Sequence, residues 1–366
     1  MKKILLLGNS KLTVFGFRGE LIKKLIEQEN EVIVVFPNGP FGEGNKVAEE
    51  FGCKFIELDM NRRGTNPLGD LKLLKKYISI IKNEKPDIVL AFTVKCDIYG
   101  GIACRLLKIP FIPNITGLGK GLTEGKITQL ITKKLYKLAL KNAKCVMFQN
   151  EGDKDFFNKN ILVPEKCVVL PGSGVNLEKY KVLRYPNDDV IRFIYVARLM
   201  KAKGIEEYLE AARFLNTKYN NIEFHICGYC EENYKEIIDE EQSKNNIIYH
   251  GLVDDVQMLE KDCHCVVLPS FHPEGISNVL LEAAAMGRPI ITTNRIGCKE
   301  TVEDKVTGYL IKERDCNDLI KKMIDFIELD NHEKKEMGLR GRKKIEKEFD
   351  RIIVVNEYLK LVNIKE

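Results

Sequence analysis

The residues best suited to chemistry lie near position 275, where an apolar run leads into a helical pattern. The run at 264–268 is followed by a loop with prolines at 269 and 273, and a helix is predicted from about residue 278. The first N–H groups of a helix have no partner within the helix and favour an anion such as phosphate. The residues that would supply them are Gly275, Ile276, Ser277 and Asn278.

Two carboxylates flank this predicted anion site. Glu274 precedes it and Glu282 lies about two turns into the helix. Carboxylates are unsuited to neutralising a phosphate but accept hydrogen bonds from sugar hydroxyls. Considered alone, the two residues can equally well be explained without a ligand. Glu274 would then be an acidic partner of the helix dipole, and Glu282 a solvated residue of the helix.

Two cations follow the first apolar run of the same half of the chain. Arg198 and Lys203 come directly after the run at 192–197, so they belong to the loop at the end of a predicted strand. Carboxyl ends of parallel strands meet at one edge of a sheet, and this brings the cations to the edge that carries Glu274. Two cations beside a helix start suit a diphosphate. Lys201, between them, is expected to be solvated.

Other nucleotide-binding motifs are incomplete. The stretch Gly117-Leu118-Gly119 has Leu122 where a dinucleotide fingerprint needs its third glycine. Gly125-Lys126-Ile127 resembles the end of a P-loop, but Lys120 and Ile127 replace its glycine and its hydroxyl residue. The sequence therefore argues against a dinucleotide-dependent oxidoreductase and a P-loop enzyme.

The candidate metal ligands also have simpler interpretations. Asp153 and Asp155 have a metal-binding spacing, but they stand at a predicted helix start, where acidic residues complement the helix dipole. Cysteines at 227, 230, 263 and 265 offer enough sulfur for zinc, yet those at 227 and 265 fall inside predicted strands and suit packing. We expect no metal and no cofactor.

Composition indicates a protein of two packed domains. The chain has 366 residues, 44% hydrophobic and 30% charged, which fits two domains of ordinary size. We predict no transmembrane helix, and eleven scattered cysteines favour a reducing cytoplasm. Through residue 178 there are 28 Lys and Arg against 19 Asp and Glu. Without tryptophan, this basic half points to an anionic surface or ligand and not to a nucleic acid.

Apolar runs alternate with helical patterns in both halves of the chain, which predicts an α/β fold with parallel sheets. In the first half, strands are predicted at 3–7, 31–36, 54–58, 87–92, 111–115 and 145–148, and helices near 17–28, 67–84, 97–107 and 125–143. In the second half, strands are predicted at 192–197, 222–227, 247–250, 264–268 and 289–293, and helices near 204–217, 231–243, 278–286 and 315–328.

The pattern breaks around residues 170–189, where we place a domain boundary. Two doubly wound Rossmann-like domains would face each other across a cleft at the carboxyl ends of their sheets. Two helices, at 332–347 and 351–362, follow the second predicted sheet. One of them is free to cross back and brace the first domain.

The combination of these residues resembles the donor site of the family-4 retaining glycosyltransferases. It comprises Arg198, Lys203 with Gly204, the Glu274 to Glu282 spacing, and the segments GLVDDV at 251–256, LPS at 268–270 and GRPII at 287–291. The likeness extends over nearly the whole chain. It implies the GT-B fold, with an acceptor-binding domain at 1–178, a nucleotide-sugar-binding domain at 179–346 and a C-terminal helix at 347–366.

The resemblance assigns roles to residues of the second domain. Arg198 and Lys203 would hold the diphosphate of a UDP-sugar donor, Glu282 would bind ribose hydroxyls, and Glu274 would contact the transferred sugar. Further donor contacts are implied for Gly16, Gly228 and residues 275–278. It also implies retention of anomeric configuration without a metal, with Arg198, Lys203 and Glu274 as the catalytic residues.

A subgroup of this family extends sugars on undecaprenyl diphosphate in bacterial polysaccharide or glycan assembly. This chain resembles it at Phe15-Gly16-Phe17-Arg18, at the segment 62–67 and at 115–119. The implied acceptor-binding residues are Arg18, Arg62, Lys95, Asp97, Thr116 and Lys120. Arg18 and Lys120 are expected in loops at the mouth of the cleft, where they could hold the acceptor diphosphate. Many relatives have a histidine after the fourth strand, where this chain has Thr93-Val94-Lys95-Cys96-Asp97, so Lys95 or Asp97 is expected to replace it.

The expected activity is transfer of a hexose or N-acetylhexosamine to a lipid-linked saccharide at the inner face of the cell membrane. A GT-B epimerase or hydrolase, or a non-catalytic nucleotide-sugar-binding protein, is the alternative. The helical pattern at 125–144 has lysines at 133, 137, 141 and 144 and apolar residues at 127, 131, 135 and 138. It fits peripheral membrane contact, and equally a helix that buries its apolar side on its own sheet.

Overall fold

The computed structural model describes residues 1–38, 43–61, 66–161 and 165–363. It divides the chain into two units, Met1–Gly174 with Arg351–Glu366, and Val175–Asp350. The sequence placed the boundary after residue 178, whereas the structure divides the chain at Gly174. Among the described residues, no helix combines the length and the apolar character needed to cross a bilayer.

The first unit is built on a parallel sheet of seven strands in its described residues, in the order β3-β2-β1-β4-β5-β6-β7. The strands are β1 (Lys3–Leu7), β2 (Glu31–Phe36), β3 (Lys54–Glu57), β4 (Ile88–Phe92), β5 (Phe111–Ile115), β6 (Val146–Phe148) and β7 (Cys167–Val169). The helices are α1 (Phe17–Glu27), α2 (Gly44–Phe51), α3 (Pro67–Glu84), α4 (Gly101–Leu107), α5 (Gly119–Thr123), α6 (Lys126–Leu140) and α7 (Glu151–Asn160). A π-helical turn precedes α1 at Leu12–Gly16, and another precedes α4 at Cys96–Gly100.

Both faces of this sheet are buried, as its continuous apolar strands require. In β1, Leu5 and Leu7 belong to the core on one face, and Ile4 and Leu6 belong to the core on the other. All four side chains are fully buried.

The last described helix, α14 (Arg351–Asn363), packs on the first unit. Tyr358 lies in the same core as Ile4 and Leu6, and Asn114 Nδ2 donates to its hydroxyl at 2.6 Å. Arg351 fixes the start of the helix, because its guanidinium donates to the Gly174 carbonyl at 3.1 Å and to the Gly16 carbonyl at 3.0 Å. The first unit is therefore assembled from both ends of the described chain.

The second unit has a parallel sheet of six strands in the order β10-β9-β8-β11-β12-β13. The strands are β8 (Ile191–Val196), β9 (Ile222–Cys227), β10 (Ile248–Tyr249), β11 (Cys265–Leu268), β12 (Ile290–Thr293) and β13 (Gly308–Ile311). The helices are α8 (Ile205–Asn216), α9 (Lys235–Ser243), α10 (Gln257–Glu260), α11 (Asn278–Ala285), α12 (Cys316–Ile327) and α13 (Asn331–Glu348). The two Rossmann-like parallel-sheet domains expected from the sequence are both present.

Some elements differ from the predictions. The strands β7 and β13 and the helix α2 were not predicted, and the helix expected from residue 231 begins at Lys235. Glu231 and Glu232 instead lie in a loop, where they contact the loop that follows β8. These contacts hold Glu231 and Glu232 in the loop, so the helix begins only after them.

Candidate active site

The two loops that carry the predicted donor residues lie against each other. Lys203 ends a short 3₁₀ turn after β8, and Gly204 then adopts φ +78° before α8 begins. A Cβ atom on Gly204 would lie 2.2 Å from the Pro269 carbonyl oxygen, so only glycine lets the two loops come so close. Phe271 N–H adds a hydrogen bond to the Ala202 carbonyl at 2.9 Å. The loop after β8 is therefore fixed against the loop after β11.

Lys203 and Glu274 meet at this junction, where the Lys203 ammonium contacts the Glu274 carboxylate. The lysine is only 8% exposed. Burial, together with the nearby charge of Arg198, lowers its pKa to about 8. The charges of Lys203 and Arg198 are thus close enough to act on each other, and their joint binding of a diphosphate stays a prediction.

Arg198 has a carboxylate partner that the sequence analysis did not find. Its Nη1 lies 2.5 Å from Glu231 Oε2, and Glu231 stands in the loop after β9. Because β9 is the neighbour of β8, the loops after the two strands share one edge of the sheet. The carboxyl ends of parallel strands meet at one edge of a sheet, and this rule placed Arg198 and Glu274 at the same edge. It applies equally to Glu231, which follows β9.

Gly228 allows the ends of β8 and β9 to come together. Its φ is +145°, and a Cβ atom there would lie 1.8 Å from the Ala197 carbonyl oxygen. The Gly228 N–H donates to the Gly251 carbonyl at 2.8 Å. The Gly228 carbonyl accepts from the Tyr249 hydroxyl at 2.8 Å. Gly228 therefore supports the backbone directly beside the loop that carries Arg198.

The helix start at α11 differs in one respect from the prediction. Ser277 N–H donates to the Gly297 carbonyl at 2.8 Å, so this amide is already occupied. The side chains of Ile276 and Ser277 are buried at 5% and 2% exposure. The side-chain oxygen of Asn278 is buried and has no hydrogen-bond partner among the described residues. This oxygen can only accept a hydrogen bond, so it does not suit the predicted anion.

Glu282 lies in α11, one side of which is buried in the core of the second unit. Burial raises the pKa of Glu260 well above its usual range, and the Glu282 charge raises it further. Glu282 therefore lies near Glu260, while Glu274 contacts Lys203. The two predicted carboxylates therefore have different neighbours, a lysine for Glu274 and a second carboxyl group for Glu282.

Two predicted acceptor residues of the first unit lie deeper than expected. Arg18 was expected in a loop, but it is in α1, is 4% exposed and lies 4.4 Å from the centre of the Phe92 ring. It lies on the side of α1 that also buries Leu21 and Leu25, which explains its burial. Asp97 is 1% exposed, and neither carboxylate oxygen has a hydrogen-bond partner among the described residues.

The other predicted residues of the first unit lie nearer the surface. Lys95 pairs with Asp70 at 2.7 Å. Thr116 follows β5 and is partly exposed, and Gly16 ends the π-helical turn before α1. Lys120 was also expected in a loop, but it lies in the short helix α5, where its side chain is exposed. Arg62 is outside the described residues.

The simpler interpretations of the candidate metal ligands fit the structure. Asn150 caps α7 by accepting from Asp153 N–H at 2.7 Å, and its amide donates to the Asp153 carboxylate at 3.1 Å. The cysteines at 227, 263 and 265 are buried free thiols. No group of three or more His, Cys, Asp or Glu side chains suited to a metal occurs in the described ranges.

Comparison with known proteins fits this site. Residues 180–344 match the family model of glycosyl transferases group 1, and residues 3–150 match that of glycosyl transferase 4-like proteins. The chain is a glycosyltransferase, with a group 1 match in its second unit and a 4-like match in its first. Its predicted activity class and GT-B fold are thereby confirmed, whereas the roles of individual residues remain predictions.

Two curated relatives and one solved structure illustrate the likeness. The chain is 27% identical to the N,N'-diacetylbacillosaminyl-diphospho-undecaprenol alpha-1,3-N-acetylgalactosaminyltransferase of Campylobacter jejuni, over 97% of this chain and 96% of that one. It is 29% identical to the UDP-Gal:alpha-D-GlcNAc-diphosphoundecaprenol alpha-1,3-galactosyltransferase of Escherichia coli, over 72% of each chain. The structure of Anabaena HepE in complex with UDP and glucose superposes with a TM-score of 0.80, at 18% identity over 99% of both chains. This last likeness supports the fold alone.

Proposed function

We propose that this glycosyltransferase moves a hexose or N-acetylhexosamine from a UDP-sugar to a saccharide carried on undecaprenyl diphosphate, with retention of configuration. The observation that carries the donor half is the buried Lys203 in contact with Glu274 and close to Arg198. The names of the Campylobacter and Escherichia relatives, both of which act on diphospho-undecaprenol-linked sugars, support the acceptor half.

In this proposal the protein stabilises the charge that develops on the leaving group. As the bond between the sugar and the diphosphate breaks, negative charge grows on the phosphate oxygens, and Arg198 and Lys203 are already in place to stabilise it. A leaving phosphate oxygen would accept the proton of the attacking hydroxyl on the same face of the sugar. Glu274 would hold the sugar and Glu282 the ribose.

Lys203 and Lys201 provide a matched test of the donor site. Lys203→Ala removes the buried cation, and Lys201→Ala removes an exposed cation two residues away. We expect Lys203→Ala to lower transfer by at least about 10²-fold, the usual effect of losing one charge-stabilising donor, and Lys201→Ala to leave it nearly unchanged. The measurement is product formation with a panel of UDP-sugars and lipid-linked acceptors, with and without EDTA.

Several outcomes would contradict the proposal. Near-normal transfer by a folded Lys203→Ala variant would exclude the diphosphate site. Loss of transfer in EDTA that Mg²⁺ or Mn²⁺ restores would exclude the metal-independent mechanism. Release of UDP at the same rate without any acceptor would favour a hydrolase or an epimerase.

We further propose that the first unit contacts an anionic membrane surface through α6. The side of this helix that packs on the unit consists of Thr132, Tyr136, Ala139 and Leu140. Three apolar side chains, Ile127, Leu130 and Ile131, are instead 76%, 56% and 52% exposed. The interpretation in which α6 buries its apolar stripe on its own sheet is therefore wrong for Ile127 and Ile131, and Leu130 lies outside that predicted stripe.

Lysines surround the exposed apolar residues of α6. Lys134 and Lys137 lie on the exposed side of the helix beside Leu138, which is 43% exposed. Lys133 instead bonds to Asn160 at 2.8 Å and belongs to the contact between α6 and α7. An apolar strip flanked by lysines suits the interface of an anionic bilayer, where a lipid-linked acceptor would be located.

A further inference from the structure

Both cations of the proposed donor site are paired with carboxylates in the protein itself. Lys203 contacts Glu274, which the proposed function assigns to the transferred sugar. Arg198 contacts Glu231, whose side chain is 15% exposed. The negative charge of Glu231 also acts on Lys203, whose pKa it raises. Glu231 therefore contacts one of the two cations that would bind the diphosphate, and its charge acts on the other.

The backbone of Glu231 is fixed next to the loop that carries Arg198. Glu231 N–H donates to the Leu199 carbonyl at 3.1 Å, and Leu199 N–H donates to the Tyr229 carbonyl at 2.9 Å. The adjacent Glu232 carboxylate accepts from Lys201 N–H at 2.9 Å. These backbone bonds do not involve the Glu231 carboxylate, which accepts from Arg198 Nη1 and from the Tyr229 hydroxyl at 3.4 Å, so they can persist when the carboxylate leaves Arg198.

Resting on the proposed donor site, we propose that Glu231 is a built-in anion that competes with the donor diphosphate for Arg198. The Glu231 carboxylate neutralises Arg198 when the donor is absent. An incoming diphosphate brings more negative charge than one carboxylate and can contact both cations, so it displaces the side chain. When UDP is the product, the carboxylate returns to Arg198 and promotes its release.

This competition favours ligands with a diphosphate. A monophosphate carries less charge and reaches fewer cations, so it displaces Glu231 less readily. Glu231 would thus weaken the binding of any phosphate ligand that has to displace it. Uridine, which has no phosphate, would be indifferent to the charge at position 231.

The test is calorimetry with the full chain and three probes, UDP, inorganic pyrophosphate and uridine. Glu231→Gln removes the charge and keeps the size of the side chain. We expect this variant to bind UDP and pyrophosphate about tenfold more tightly, the effect of removing one like charge at a partly exposed site. The binding of uridine should not change. The control is Glu232→Gln, which removes the same charge one residue away and should alter UDP affinity less than twofold.

The alternative is that Glu231 only holds Arg198 in place. In that case Glu231→Gln would bind UDP and pyrophosphate more weakly than the wild type, and the inference would be overturned. Unchanged affinities would overturn it as well, although wild-type binding of UDP would leave the proposed function intact. If the wild-type protein binds no UDP at all, the proposed function fails and this inference fails with it.

Discussion

Lys203 is the residue whose environment departs most clearly from that of an ordinary lysine. Its side chain is 9% exposed, and its contact with Glu274 keeps a negative charge beside it. Burial lowers its pKa to about 8. A cation used for a diphosphate is therefore close to losing its proton just above neutral pH.

We predict that the affinity for UDP falls as the pH rises through 8. If only protonated Lys203 binds the diphosphate, the dissociation constant should rise about tenfold between pH 7 and pH 9, because the protonated fraction falls by that factor. Calorimetry across this range measures the change. Lys203→Met should bind UDP weakly at every pH and should show no such dependence.

The expected fall in UDP affinity above pH 8 would not result from unfolding. The same pKa shift of Lys203 makes the folded state more stable as the pH rises. Between pH 8 and the ordinary lysine pKa of 10.5, the unfolded chain binds a proton at Lys203 that the folded chain has lost. This group therefore makes the free energy of unfolding rise with pH in that window. A parallel fall of thermal stability and UDP affinity above pH 8 would contradict the assignment to Lys203.

At the scale of the elements, the site depends on three loops that leave neighbouring strands at one edge of the second sheet. These are the loops after β8, β9 and β11, and glycines permit their two closest approaches. Gly204 lies against Pro269, and Gly228 lies against Ala197. The positions of Arg198, Lys203 and Glu274 follow from these backbone contacts.

We predict that Gly228→Ala damages the donor site more than it damages the fold. The new Cβ would collide with the Ala197 carbonyl, and φ +145° is a conformation that alanine rarely adopts. The ends of β8 and β9 should separate, at a cost of about 1–3 kcal/mol in stability, and UDP affinity should fall at least tenfold. Gly341→Ala in α13 of the same unit is the comparison, since a Cβ there comes no closer than 3.8 Å to another atom. Equal UDP affinities for the two variants would contradict this account.

The sequence could predict the elements with continuous apolar runs, but not those set by contacts with neighbours. β7 has only three residues and is half-buried at the end of its sheet, so its pattern resembles a loop. β13 begins at Gly308, which looks like a turn residue, yet a Cβ there would lie 2.1 Å from the Ile290 carbonyl. Its glycine reflects close packing between strands, which no local pattern indicates.

The candidate site was predictable to a similar extent. Arg198, Lys203 and Glu274 follow strands at one sheet edge, and this rule placed them correctly within the second unit. It does not indicate which way a side chain points, so Arg18 was expected at the surface and lies buried against Phe92. Glu231 was assigned to a helix because the sequence from residue 231 has a helical pattern. Its contact with Arg198, which no local pattern indicates, holds it in the loop instead.

At the scale of the whole molecule, we predict that α6 mediates binding to anionic vesicles. Lys134→Glu with Lys137→Glu reverses two exposed charges beside the apolar strip. Each lysine near such a surface contributes about 1 kcal/mol, so co-sedimentation should fall at least tenfold. Binding by the wild-type protein should rise with the anionic lipid content and fall with salt.

The control reverses the same charge elsewhere. Lys343→Glu with Lys347→Glu alters two exposed lysines of α13 in the second unit, where no apolar strip accompanies them. Vesicle binding that falls equally in both double variants would reflect net charge alone. Binding that resists salt, or that is absent, would exclude the membrane contact and leave the donor site unaffected.

The position of α14 has a consequence for the order in which the protein can be made. Tyr358 and its neighbours complete one core of the first unit, yet they are translated only after all of Val175–Asp350. During synthesis the second unit can finish folding while the first still exposes the apolar face that α14 will cover. The unit that emerges first from the ribosome is therefore the last to be completed, and a stop codon anywhere in the second half of the message would leave it unfinished.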